Sequence, residues 1–156
     1  HFRRTLAKHV FGSCGKNFKA FTHVRVSCGY NLHVGDNVVI HRHVLLDDRG
    51  GIEIGNHSSI SDFANIYSHS HNIVDGRIVY LPKTVLGTGV RVTYHATVLA
   101  GTHIADDSMV GAGSLLTKST EPNWVYVGVP ARKIKEKSEE ERQSKAPATP
   151  DPMAEE

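Results

Sequence analysis

Aromatic side chains are scarce in this sequence, at 7% of 156 residues. A core therefore has to come from Val, Ile, Leu and small residues. Cysteine is scarcer still. Cys14 and Cys28 alone are too few for a disulfide framework, which points to a reducing, cytoplasmic setting. No apolar run approaches the roughly 20 residues of a membrane span, and no signal-peptide pattern is visible. A formal net charge of +2 excludes a strongly basic nucleic-acid binder. The interleaved aromatics of a single-strand binder are missing, and no Walker or GxGxxG context supports a phosphate loop or dinucleotide site.

What is present suffices for one domain. Apolar residues make up 39%. Charge is uneven: residues 1–135 hold 15 Lys and Arg against 9 Asp and Glu, whereas residues 136–156 hold 3 against 7. The last stretch has almost no large apolar residues, so it is expected to be a charged tail, a short helix running into disorder. Eleven histidines raise the question of metal or proton chemistry.

The body repeats with a period of six. Aliphatic residues stand at Val34, Ile40 and Leu46, then at Ile54, Ile60 and Ile66. After an interruption they return at Leu86, Val92, Val98, Ile104, Val110 and Leu116. Four residues after each stands a small or β-branched residue: Val38, Val44, Gly50, Ser58, Ala64 and Ser70, then Val90, Ala96, Thr102, Ser108, Ser114 and Thr120. Six matches neither a helix nor a plain strand; it matches a short strand and a turn, repeated. One large and one small inward residue per side would fill a narrow prism, and three sides close a coil of 18 residues. The spacing agrees, since Leu86 to Ile104 is 18 and Val34 to Ile54 is 20. The 20-residue step carried backwards gives a weaker first coil at Cys14, Ala20 and Val26. Gly35, Gly55, Gly87, Gly111 and Gly113 are expected at turns. The step from Ile66 to Leu86 is 20 residues where 6 are due, so about 14 residues, roughly His71 to Val85, must leave the prism as a loop.

The stretch from IGNHSSISDFANIYSHSHN through VLGTGVRVTYHATVLAG to GAGSLLTKSTEPNWVYVGVPARKIKEK resembles the hexapeptide-repeat acyltransferases. It is most similar to the maltose, galactoside and nodulation-factor O-acetyltransferase branch, over about residues 30–137. The resemblance implies an all-β fold, a left-handed parallel β-helix of about five coils over residues 1–135, with the projecting loop and a short C-terminal helix. Its closing segment looks like the family's last coil and the start of that helix. The N-terminal helical segment typical of the sugar acetyltransferases is not read here.

The implied activity is acetyl-CoA-dependent O-acetylation of a sugar or other small hydroxylated acceptor. Such transfer needs a base near the alcohol, and neutral imidazole suits that task. The family's catalytic histidine resembles His71, with no acyl-enzyme and no metal required; His69 is expected to be an exposed turn residue. Asp47 and Asp48, one coil earlier, resemble the acceptor-binding position. His41 and His43 stand where the sugar-specific enzymes tend to carry Asn. Lys118, Arg132 and Lys135 resemble coenzyme A contacts, since Arg and Lys pair with phosphate, with Lys83 a weaker candidate. Ala112 and Thr117 join this coenzyme-binding set. So does Tyr94, which follows Arg91-Val92-Thr93 where the family reads Trp-Ile-Gly, and whose backbone N–H is a candidate oxyanion donor. A homotrimer is implied, with His71 of one chain facing the donor groove of the next.

Two alternatives share the scaffold. One is a catalytically impaired binding or structural β-helix, favoured if Tyr94 closes the donor channel. The other is a zinc enzyme like the γ-carbonic anhydrases, which carry two of their histidines five residues apart. No two histidines in this chain are so spaced.

Overall fold

The computed structural model describes residues 2–143. Short parallel strands stack into three faces of a left-handed parallel β-helix. The first face holds Ser13–Cys14, Leu32–Val34, Ile52–Ile54, Thr84–Leu86 and His103–Ile104. The second holds Lys19–Ala20, Val39–Ile40, Ser59–Ile60, Arg91–Val92 and Met109–Val110, then the hairpin of Trp124–Gly128 and Ala131–Glu136. The third holds Arg25–Val26, Leu45–Asp47, Asn65–Tyr67, Thr97–Val98 and Leu115–Leu116. The described residues thus make five complete coils and begin a sixth.

The six-residue columns are the strand registers. Cys14 pairs with Val34, Val34 with Ile54, Ile54 with Leu86, and Leu86 with Ile104. Ala20, Ile40, Ile60, Val92 and Val110 align on the second face. Val26, Leu46, Ile66, Val98 and Leu116 align on the third. From Val34 onward these side chains are buried. Each contributes about 1.5–3 kcal/mol by leaving water.

The small column holds at Val38, Val44, Ser58, Ala64, Val90, Ala96, Thr102, Ser108 and Ser114, all buried. It fails where extra residues enter the corner between the third and first faces. There Asp48 and Ser68 turn inward instead of Gly50 and Ser70, and Thr120 is half-buried. The insertions shift the phase, and hydrogen bonds satisfy the polar groups that result.

Glycine is required where coils stack at the corner between the first and second faces. A Cβ on Gly55 would lie 2.5 Å from the backbone carbon of Gly87. Gly35, one coil below, is equally crowded by Asn56.

Three elements differ from the sequence reading. Residues Phe2–Val10 form a helix. Its Ala7 joins the core near Phe18, and Lys8 and His9 sit in its last turn, where cations favour the helix dipole. The segment after Gly128 is an antiparallel strand rather than a helix start. The helix comes later, at Glu139–Gln143. It begins with a reciprocal cap, Ser138 N–H donating to Glu141 and Glu141 N–H to Ser138 Oγ, which satisfies two orphan donors. The loop, finally, is an ordered hairpin of Ser70–His71 with Val79–Tyr80. It ends before Thr84, so Val85 belongs to the first face. The rest of the tail, residues 144–156, lies outside the described residues.

Candidate functional site

The hairpin leaves the prism at the corner between the third and first faces, directly above Asp47, Asp48 and Arg49. Ser68 N–H donates to Asp47 O at 2.9 Å, and Ser68 Oγ donates to the same carbonyl while accepting from Gly50 N–H. This fixes the base of the hairpin on the coil below. At its tip Asn72 Oδ1 accepts from the N–H groups of Val74 and Asp75, and its amide donates to Tyr80 Oη.

His71 is held by this hairpin. Its Nδ1 lies 2.6 Å from Gly76 O. A carbonyl only accepts, so Nδ1 carries the hydrogen and Nε2 carries the lone pair of the neutral ring. Nε2 lies 3.0 Å from Nε2 of His69, with the rings nearly perpendicular at 85°. His69 is not the exposed turn residue expected from sequence. Its side chain is 14% exposed and its Nδ1 lies 3.2 Å from Asp47 Oδ2 and 2.9 Å from an Arg49 terminal nitrogen.

The two aspartates have different roles. Asp48 is fully buried. Each of its oxygens accepts a backbone N–H at 2.7 Å, from Cys28 and Gly29 of the coil below. Both oxygens are thereby engaged by the turn. Asp47 is 3% exposed and takes Arg49 as a two-point partner. The hydrogen bonds from Arg49 hold its carboxyl below the usual carboxylate range, against the upward push of burial.

His41 and His43 lie at a different corner, between the second and third faces. His43 belongs to an exposed stack of His23, His43, Phe63 and His95, with ring centroids 4.6–4.8 Å apart. All four adopt left-handed backbone conformations, a turn position that Asn or Gly usually fills. His41 stacks on Phe21 at 5.1 Å. Tyr94 and Ala112 share this corner, where Gly113 N–H donates to Tyr94 O. Tyr94 is 57% exposed, and its own N–H has no acceptor among the described residues.

The cations are dispersed. Thr117 and Lys118 follow the last strand of the third face, on the hairpin's corner. Arg132 and Lys135 lie on the strand added to the second face, with Lys135 on Glu141 and Lys133 over the Trp124 ring. Lys83 pairs with Glu53 at 2.6 Å on the first face. Among the described residues no group of three or more His, Cys, Asp or Glu is placed to hold a metal ion, and no helix is long and apolar enough to cross a membrane.

No family model matches the chain. A galactoside O-acetyltransferase of Escherichia coli K12 is 31% identical over 139 residues, covering 86% of this chain and 68% of that protein. A maltose O-acetyltransferase of Clostridium difficile 630 superposes with a TM-score of 0.83 at 32% identity, covering 88% of this chain and 75% of its own. A galactoside acetyltransferase solved in complex with coenzyme A gives a TM-score of 0.78 at 26% identity, covering 90% and 72%.

Proposed function

Because this chain belongs to the hexapeptide-repeat acetyltransferases, in the branch of the galactoside and maltose enzymes, we propose that it moves an acetyl group from acetyl-CoA to a hydroxyl of a sugar-like acceptor, with His71 as general base. The observation that carries this reading is the Gly76 carbonyl on His71 Nδ1. It fixes the tautomer whose Nε2 lone pair can take the hydroxyl proton. The oxygen then attacks the thioester carbonyl, the C–O bond forms, the C–S bond breaks, and the proton passes to the departing thiolate. The Tyr94 N–H is our candidate for stabilising the intermediate oxyanion. The acceptor meets the Asp47 and Arg49 pair beside His69, and His41 and His43 of a neighbouring chain.

The coenzyme side is assigned to Tyr94, Ala112, Thr117, Lys118, Arg132 and Lys135. His71, Asp47 and Lys118 occupy one corner of the prism, while Tyr94, Ala112, His41 and His43 occupy another. A site that uses both sets is completed by a second chain. Ile73 and Val74 at the hairpin tip are almost fully exposed, and Ile78, Val79, Tyr80 and Leu81 are about half exposed. An apolar arm of that kind fits a subunit contact better than solvent. We therefore propose a closed trimer, working in the cytoplasm, where cysteines stay reduced.

Thiol release from acetyl-CoA, screened against galactosides, maltose, amino sugars and serine, tests the reading. Turnover that depends on a hydroxyl acceptor is expected. Coenzyme A binding without turnover on any acceptor would favour a binding protein on the same scaffold.

A further inference from the structure

We propose that His69 is a positioning residue for His71, coupling the base to the Asp47 carboxylate through a pair of imidazoles; this rests on His71 being the base. Five contacts form one chain across two coils. Arg49 grips Asp47, His69 Nδ1 faces both Asp47 Oδ2 at 3.2 Å and Arg49 at 2.9 Å, His69 Nε2 faces His71 Nε2 at 3.0 Å, and His71 Nδ1 ends on Gly76 O.

The hydrogens follow from the two ends. Gly76 O can only accept, so His71 presents a lone pair at Nε2. His69 must then donate from Nε2, and its own Nδ1 lone pair accepts from Arg49. In the resting site His69 thus fills the lone pair of the base and holds its ring edge-on. An acceptor hydroxyl replaces His69 there and gives its proton to His71 Nε2. The new N–H can then donate to His69 Nε2 once His69 has given its Nε2 hydrogen to solvent and taken one from solvent at Nδ1, opposite Asp47, so that its own proton count is unchanged. The same heavy-atom frame serves both proton arrangements, and the Asp47 charge stays one ring away from the imidazolium. When the thiolate takes the proton the resting arrangement returns, so the pair is unchanged over a cycle.

Two readouts test this. In turnover assays His69→Ala should lower kcat about 10–100-fold, the effect of losing a hydrogen bond to a charged group, with KM for acetyl-CoA within about twofold. His69→Gln keeps a donor for His71 but cannot exchange protons, so it should recover only part of the loss. Asp47→Asn should resemble His69→Gln. A kcat for His69→Ala within about twofold of the unmutated enzyme, or full recovery by His69→Gln, would overturn the coupling. The second readout needs no turnover. Long-range 15N spectra of the histidine-labelled chain should show His71 protonated at Nδ1, with an Nε2 signal that moves in His69→Ala. An Nε2 signal unmoved by His69→Ala would overturn the contact itself. If His71→Ala retains activity while the spectra behave as expected, the base assignment fails and the histidine pair stands.

Discussion

Asp47 and Asp48 are adjacent in sequence and alike in chemistry, yet the fold gives them separate tasks. Asp48 closes a turn by accepting two buried amides. Asp48→Ala leaves both unpaired, at about 1–3 kcal/mol each, so a clear drop in melting temperature is expected in thermal denaturation. Asp47→Asn should unfold near the parent and lose turnover instead. The sequence could not divide these roles, because the partners of Asp48 lie 19 and 20 residues upstream and become neighbours only when coils stack. The environment of His69 is hidden from the sequence for the same reason: its partner Asp47 is one coil away. The hairpin that carries His71, by contrast, is legible as the excursion after Ile66. On the donor side, Lys118→Ala or Arg132→Ala should weaken coenzyme A binding about 10–100-fold in calorimetry, as loss of a charge-assisted hydrogen bond requires. The salt dependence should fall as well. An unchanged affinity would remove that residue from the coenzyme site.

At the scale of elements, the aliphatic columns read from sequence are the strand registers, and the excursion after Ile66 is the hairpin. The six-residue period fixes a strand-and-turn solenoid because inward positions must recur with each side of the prism. It carries no information about hand; that came from the family resemblance. It does not extend to Phe2–Val10 or Ala131–Glu136, which lie outside the coil registers. The N-terminal helix and the antiparallel strand Ala131–Glu136 pack on terminal coils, and their pattern is local. Coil stacking itself is testable at Gly55. Its missing Cβ faces backbone, which cannot swing aside as a side chain can. Gly55→Ala should cost about 1–3 kcal/mol, the usual range for overpacking, read as a lower denaturation midpoint. Gly76→Ala meets open space and should be nearly silent in the same experiment. Equal midpoints for the two variants would mean that the coils are not stacked as closely as described.

At the scale of the whole molecule, flat faces leave a single prism with little concavity. A depression of about 390 Å³ lies on the first face, beside His33, Glu53 and Asp106, away from His71. The residues proposed for acetyl transfer are split between two corners, and the hairpin that carries His71 presents apolar side chains outward. The proposed trimer of 17.1 kDa chains would join those corners, and mass photometry should find that assembly. The resemblance names two candidate residue sets and expects them to face one another across neighbouring chains; the corner each occupies depends on the side of the prism its turn takes. The central claim, acetyl transfer at a site that His71 of one chain completes against the Tyr94 and Ala112 corner of another, is tested most directly by mixing subunits. His71→Ala chains and Ala112→Trp chains, each inactive alone, are co-refolded in equal amounts and assayed for acceptor-dependent thiol release. With sites shared between adjacent chains, about a quarter of them pair an intact His71 with an intact donor corner, so about a quarter of the parent activity should return. Mixed trimers that stay as inactive as their components would contradict the shared site.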